Sequence, residues 1–347
     1  MNITAVGFDI AKNVFQVHGA DANGKRVVRK KLKREQVVSY FATLPPCLVG
    51  MEACAGAHYW ARKLQSLGHT VKLIAPQFVK PYVKTNKNDA ADAEAIWEAV
   101  TRPNMRFVAI KSEEQQAVLS LHRARSGLVK ARTAQANEIR GLLAEFGLVI
   151  PVGIRNVFCE VPLLIEAPQL PERMRRLMQL LLEQLRDVDK RASELEAQIR
   201  QWHLQNLDSK RLEQIPGIGA LTASALVAAA GDARNFTDGR QMASWVGIVP
   251  RQHSSGGKQQ LLGISKRGDV YLRTLLIHGA RSVVKVVARQ VKPEGRNRWI
   301  AELIKRRGKN VAAVALANKN VRIAWAMLAR GTAYEANHDL HNIVAAQ

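Results

Sequence analysis

Four acidic residues fall in or beside apolar patterns, where a charge needs a reason. Asp9 sits inside the run ITAVGFDI, Glu52 closes CLVGME, and Asp89 and Asp92 lie three apart in NDAADAEAIWEAV. Strand alternation turns Asp9 away from Phe8 and Ile10. The three-residue spacing gives Asp89 and Asp92 one face of a helix. Carboxylates gathered together repel one another and are disfavoured without neutralisation. A hard divalent cation, Mg²⁺ or Mn²⁺, supplies it and pairs naturally with phosphate oxygens. Two such ions can activate an attacking oxygen and stabilise a leaving one. Metal-assisted chemistry on a phosphate is therefore the expectation. Taken singly, each residue has a plainer use: Asp89 as a helix cap, Asp92 as a first-turn charge, Glu52 as a solvated strand end.

A second feature is PRQHSSGGK, Pro250 to Lys258. A serine hydroxyl is a poor nucleophile at its free pKa and needs a base or a metal nearby. No Ser-His-Asp arrangement is legible, and His253 is expected to point away from Ser255 in an extended loop. Lys258, Lys266, Arg267 and Arg273 can neutralise charge developing on a phosphate, or simply contact a nucleic-acid backbone as solvated cations. Gly256 and Gly257 are expected to let the loop bend toward a phosphate held elsewhere in the protein.

The elements that must position these residues are readable. Residues 3 to 33 predict three antiparallel strands, with a turn at Asn23-Gly24. A helix near 35–44, a short buried strand ending at Glu52, a helix over 57–67, the strand HTVKLIAP and a helix through Asp89 and Asp92 follow. That order predicts a mixed sheet with helices on it, the order of the ribonuclease-H-like fold. The first and fourth strands can then be neighbours, so that Asp9 faces Glu52. Residues 113–146 predict a long helix with a thin seam at Ala117, Leu121, Ala124, Leu128 and Ala131. Met174, Met178, Leu181, Leu185, Val188, Ala192, Leu195, Ile199 and Trp202 alternate steps of four and three, about four heptads of one seam. An antiparallel helical hairpin that also serves oligomerisation is expected.

Beyond Leu207 the pattern is mostly helical. Pro216-Gly217-Ile218-Gly219 between two helices resembles a helix-hairpin-helix, whose glycines (Gly217, Gly219) let backbone amides approach a phosphate; a plain glycine turn reads the same way. The segment from Trp299 to Gly331 is helical, basic and amphipathic, and Lys305, Arg306 and Arg307, with Arg251 of the serine loop, are further expected nucleic-acid contacts. The expected fold class is α/β plus all-α, divided into a catalytic domain at 1–110, a coiled-coil region at 111–206, a C-terminal domain at 207–333 and a loose tail at 334–347.

Composition names the partner. The 347 residues carry a formal net charge of +23, which costs self-repulsion unless a polyanion binds. An aromatic fraction of 5% argues against base stacking as the main mode. No run is long and apolar enough to span a membrane, and the N-terminal residues lack a secretory signal pattern. Three cysteines, Cys47, Cys54 and Cys159, have no disulfide or metal spacing, and reduced cytosolic thiols are expected.

The ordered set Asp9, Glu52, Asp89 and Asp92 resembles the D-E-D-D signature of insertion-sequence transposases with a RuvC-like N-terminal domain. IPGIGALTASALVAAAGDARNF and QMASWVGIVPRQHSSGGKQQLLGISKRGDVYLRTLL resemble the serine-bearing C-terminal domain of the same family, known as bridge-RNA-guided recombinases. The resemblance runs from Ile3 to about Arg330. It implies excision and insertion of a mobile element in bacterial cytoplasm, at the nucleoid. A structured non-coding guide RNA pairs with double-stranded donor and target DNA. A serine forms a covalent phosphoserine and frees a 3′-hydroxyl, beside Mg²⁺ or Mn²⁺ held by the acidic set, with the two halves of the site coming from different protomers of a dimer or tetramer. In the family pattern the serine directly precedes glycine, which selects Ser255; Ser254 is the alternative. A metal-only RuvC-like junction nuclease and a non-catalytic nucleic-acid scaffold are the competing readings.

Overall fold

The apolar run at the N-terminus forms β1 (Ala5–Ile10), which pairs antiparallel with β2 (Val14–Ala20), itself antiparallel with β3 (Arg26–Lys33). The computed structural model describes residues 3–83 and 89–335. Asp21 sets the second turn, its carboxylate accepting the N–H groups of Asn23 and Lys25, each at 2.9 Å. α1 (Gln36–Ala42) carries the chain to β4 (Leu48–Glu52), parallel to β1. α2 (Ala57–Gln65), β5 (Thr70–Ile74), α3 (Pro76–Val79), α4 (Asp89–Val100) and β6 (Phe107–Val108) complete a sheet of order β3-β2-β1-β4-β5-β6. α3 and β6 are too short to show periodicity, and sequence reading does not find them.

Alternation buries Val6, Phe8, Phe15, Val17, Leu32, Val49 and Met51 on one face of the sheet, with Phe41 of α1 and Trp60 of α2 packed among them. The phenyl rings of Phe8 and Phe41 meet edge to face at 5.0 Å. α4 lies on the opposite face, against Gly7 and Gly50.

Residues 1–115 form one compact unit and residues 116–347 a second; the expected boundary at 206/207 falls inside the second. There α5 (Glu113–Ala144) and α7 (Glu172–Gln205) run antiparallel, with α6 (Ile154–Leu164) between them in sequence. Arg125 pairs with Glu196 at 2.7 Å and Arg132 with Asp189 at 2.5 Å. The α7 seam is where the heptads put it: Met178, Leu185, Ala192 and Ile199 are buried, and Met174, Leu181, Val188, Leu195 and Trp202 half-buried. The α5 seam is not. Ala117, Ala124 and Ala131 are exposed, while Val118, His122, Ala136, Ile139 and Leu143 are buried. The actual stripe, 118-122-125-132-136-139-143, includes Arg125 and Arg132, whose ion pairs to α7 hide it from a count of apolar residues.

α8 (Leu207–Glu213), α9 (Ala220–Ala230) and α10 (Gly239–Val246) precede a hairpin of β7 (Pro250–Gln252) and β8 (Leu261–Ile264), then α11 (Val270–Val287) and α12 (Gly295–Arg330), which kinks at Gly308. α9 is apolar on nearly all sides and is buried accordingly. Asn206, Asp238 and Asp269 cap α8, α10 and α11 by accepting backbone N–H groups at 2.9, 2.7 and 2.9 Å. His122 ties three helices together: its Nδ1 lies 3.0 Å from the Tyr271 hydroxyl and its Nε2 3.1 Å from Ser224 Oγ. Burial, with help from the charge of Arg125, pushes its pKa down to about 4, so the ring is neutral at pH 7. Of the expected loose tail, residues 336–347 lie outside the described residues, and the Tyr334 hydroxyl accepts from Arg296 at 3.0 Å. Among the described residues no helix is long and apolar enough to cross a membrane.

Candidate active site

The parallel ladder between β1 and β4 pairs Ala5 with Leu48 and Phe8 with Met51, so the next residues, Asp9 and Glu52, stand level at the ends of adjacent strands. Phe8 and Met51 point into the core, so alternation turns both carboxylates to the α4 face. Adjacent strands are about 4.8 Å apart. Cys54, just past Glu52, registers both charges: burial, then Glu52, then Asp9 push its thiol pKa up.

α4 reaches this face because two small residues make room. A Cβ on Gly7 would overlap the Ala93 carbonyl oxygen and lie 2.5 Å from the Trp97 nitrogen; one on Gly50 would lie 2.6 Å from Val100 Cβ. Asp92 is therefore next to the tightest helix–sheet contact, and Asp89 begins the helix one turn before Ala93. Gly7→Ala must push α4 away from the sheet. It is expected to cost about 1–3 kcal/mol, read by urea denaturation with intact cofactor-free protein; an unchanged midpoint would show that the helix does not seat there.

The expected four-carboxylate cluster is not assembled among the described residues. No three His, Cys, Asp or Glu side chains there form a group that could hold a metal ion. Asp9 and Glu52 are brought together, Asp92 does not complete a set with them, and the Asp89 side chain lies outside the described residues. Two hard oxygen donors at one level on one face do fit a divalent cation such as Mg²⁺ or Mn²⁺.

The serine loop is a hairpin, not a flexible linker. The His253 N–H donates to Gln260 O at 3.0 Å, Ser255 bridges Lys258, and the Lys258 N–H donates to Ser255 O at 3.1 Å. Gly256 and Gly257, with φ of 56° and 76°, supply the two left-handed positions of a type I′ turn. The glycines thus fix a tight reversal that holds Ser255 at an exposed tip. The regular register from Gln252–Leu261 to Ser255–Lys258 also sorts the side chains: His253, Ser255 and Lys258 share one face, and Gln252 and Ser254 the other. Gln252 Nε2 accordingly donates to Ser254 Oγ at 3.0 Å. The expectation that His253 points away from Ser255 is corrected, since residues two apart in a strand share a face.

The basic residues divide by placement. Arg251, Lys258, Lys266 and Arg267 are exposed around the hairpin, and Lys305, Arg306 and Arg307 are exposed at the kink of α12. Arg273 is only 8% exposed, and its guanidinium donates to Val246 O and Gly268 O, each at 3.2 Å. It pins the base of the hairpin rather than facing a phosphate. The Ser265 hydroxyl is buried with no partner among the described residues. Gly217 packs against Gly279 of α11, which is the plain turn's role, whereas Gly219 opens to solvent at the start of α9.

Comparison with known proteins points one way. A family model of the DEDD type, described as transposase, matches residues 6–147, and one described as the transposase IS116/IS110/IS902 family matches residues 209–298. The chain is 56% identical to a probable family 20 transposase of Pseudomonas aeruginosa, over 96% of this chain and 99% of that one. It is 48% identical to the transposase for insertion sequence element IS1111A of Coxiella burnetii, over 96% and 92%. With the transposase for insertion sequence element IS1328 of Yersinia enterocolitica it shares 43% identity, over 96% and 99%.

Proposed function

The chain belongs to the IS116/IS110/IS902 family of transposases, and from that premise we propose that it excises and inserts an insertion sequence under the guidance of a structured non-coding RNA. Cleaving and rejoining DNA is the activity of the family. In the proposed reaction the Ser255 oxygen attacks the scissile phosphorus. A serine–phosphate ester forms, the bond from phosphorus to the 3′ oxygen breaks, and the serine proton is lost as the departing oxygen gains one. Rejoining reverses these steps with a 3′-hydroxyl from another duplex.

The observation that carries the reading is the serine's company. On one face of the hairpin, Ser255 stands with His253 and Lys258, with the exposed Arg251 at the hairpin's base, while the acidic pair lies in the other unit. Cations beside the hydroxyl can hold the phosphate in place and offset its developing charge, and His253 is a base on the right face. Asp9 and Glu52, with Asp89 and Asp92 of α4, are the proposed ligands for Mg²⁺ or Mn²⁺, which when bound supplies Lewis-acid polarisation of phosphate oxygens. The strand order β3-β2-β1-β4-β5, with only β2 antiparallel to its neighbours there, supports a RuvC-like assignment for residues 1–110.

Partners follow from the same reading. Double-stranded element ends and target DNA are the substrates, and pairing by RNA leaves the protein to contact backbone and shape. Val188 and Leu195, half-buried on the α7 seam, are the proposed surface for self-association as a dimer or tetramer, with the serine and the acidic pair of one site drawn from different protomers. The division into catalytic, coiled-coil and serine-bearing regions at 110/111 and 206/207 belongs to this proposal, as does action at the nucleoid in the cytoplasm.

The test co-expresses the chain with the non-coding DNA flanking its gene, a donor plasmid carrying the element ends, and a target plasmid. Recombinant junctions are expected only when the flanking segment is transcribed, and changing its pairing bases should redirect insertion. Junctions formed without that RNA would overturn guidance.

A further inference from the structure

We infer that the edge strand β3 carries a phosphate track, Arg29, Lys31 and Lys33, that leads the DNA strand to the Asp9–Glu52 pair. The argument is one of register. Asp9 pairs with Gln16 on β2, and Gln16 pairs with Lys31 on β3. Glu52, Asp9, Gln16 and Lys31 therefore form one row across four strands. Residues paired across a sheet share a face, so Lys31 stands on the side of the two carboxylates. Two strand spacings place its backbone about 10 Å from that of Asp9.

Arg29 and Lys33 flank Lys31 on the same face, paired with His18 and Val14. Each is two residues away, about 6.8 Å along the strand, a spacing comparable to that of successive phosphates in one DNA strand. All three are exposed, and Gln16 between them and Asp9 is half-buried. α4 covers the neighbouring row as far as His18, whose ring lies tilted at 5.5 Å from that of Trp97, and leaves Arg29 at the end of that row exposed. Glu94 of α4 acts on that histidine too, as do Arg26 and Arg29. Among the described residues the Lys31 row lies beyond this cover, and Lys31 is exposed.

Edge strands often carry lysine to prevent sheet-to-sheet pairing, but that need is met by charge on either face. Here the other face is used differently: Leu32 is buried, and Lys30 lies 4.7 Å from the centre of the Tyr40 ring. The cations that remain available line the face of the acidic pair. They are absent from the contacts expected on sequence grounds, all of which lie in the C-terminal half, because a basic strand reads as a solvated edge until its register is known.

This inference rests on the reading that DNA is cut at Asp9 and Glu52, and the experiment separates the two. Affinity of the full-length protein for mixed-sequence duplex DNA is measured against salt, with an RNA duplex of the same sequence in parallel. Each phosphate contact contributes about 0.9 to the slope of log K against log salt on duplex DNA. The triple variant Arg29→Ala, Lys31→Ala, Lys33→Ala is expected to lower the DNA slope by about 2 to 3, and Lys30→Ala to leave it unchanged. If the triple variant melts early, Lys31→Gln alone should lower it by about 0.9. An unchanged slope, an equal fall in Lys30→Ala, or a fall confined to RNA would overturn the track. Should Asp9→Asn prove fully active, the catalytic reading falls while the slope result stands.

Discussion

Ser255→Ala is expected to abolish both strand cleavage and the covalent protein–DNA adduct, while Ser254→Ala retains them. The two serines are neighbours, so composition and spacing treat them alike; the hairpin does not. Ser254 shares its face with Gln252, which already donates to its hydroxyl. Ser255 shares its face with the Lys258 ammonium and the His253 imidazole, at the first position of a turn whose next two residues have no side chains to shield it. Removing an attacking oxygen leaves only binding and charge stabilisation, so the loss should be on the order of 10⁴-fold or more. End-labelled DNA resolved on a denaturing gel, with and without protease, reads cleavage and adduct together. Cleavage that persists in Ser255→Ala without an adduct would instead identify a metal-only nuclease. An adduct lost in Ser254→Ala and kept in Ser255→Ala would reverse the assignment.

How far the sequence could be read depended on whether side chains or backbone carried the information. β1 and β4 announce themselves by alternation, and the same alternation puts Asp9 and Glu52 on the face away from Phe8 and Met51. α7 is equally legible, because its seam is apolar throughout. α5 is not, since its buried stripe runs through His122, Arg125 and Arg132, polar residues that partners on α7, α9 and α11 make acceptable there. Arg273 shows the converse error. Among glycines and other cations it reads as a phosphate contact, yet the carbonyls of Val246 and Gly268 that engage it come from turns no periodicity describes. The hairpin was hidden for a related reason: Ser-Ser-Gly-Gly is equally the composition of a linker, and only the paired strands on each side turn Gly256-Gly257 into a type I′ turn.

Asp9→Asn carries the second large expected effect, and it separates an enzyme from a scaffold. Asparagine matches aspartate in size, so the β1–β4 ladder and the seat of α4 should survive, and the melting temperature should stay within a degree or two of the parent. What is lost is one of two anionic oxygen donors at the strand ends. With that charge gone, a divalent cation loses much of its attraction to the site, and stabilisation worth several kcal/mol, on the order of 10³-fold in rate, goes with it. Glu52→Gln should behave alike, and the double variant should be little worse than either single one, because both remove the same unit. Isothermal titration with Mn²⁺ gives a readout independent of turnover: the parent should bind and both variants should bind weakly or not at all. DNA affinity should be unchanged or slightly improved, since a negative charge has left a surface that faces phosphates. Full recombination by Asp9→Asn would remove the acidic pair from the chemistry. Full metal binding with no recombination would keep the carboxylate in the reaction but as a proton acceptor, a role that a pH–rate profile shifted in the variant would identify.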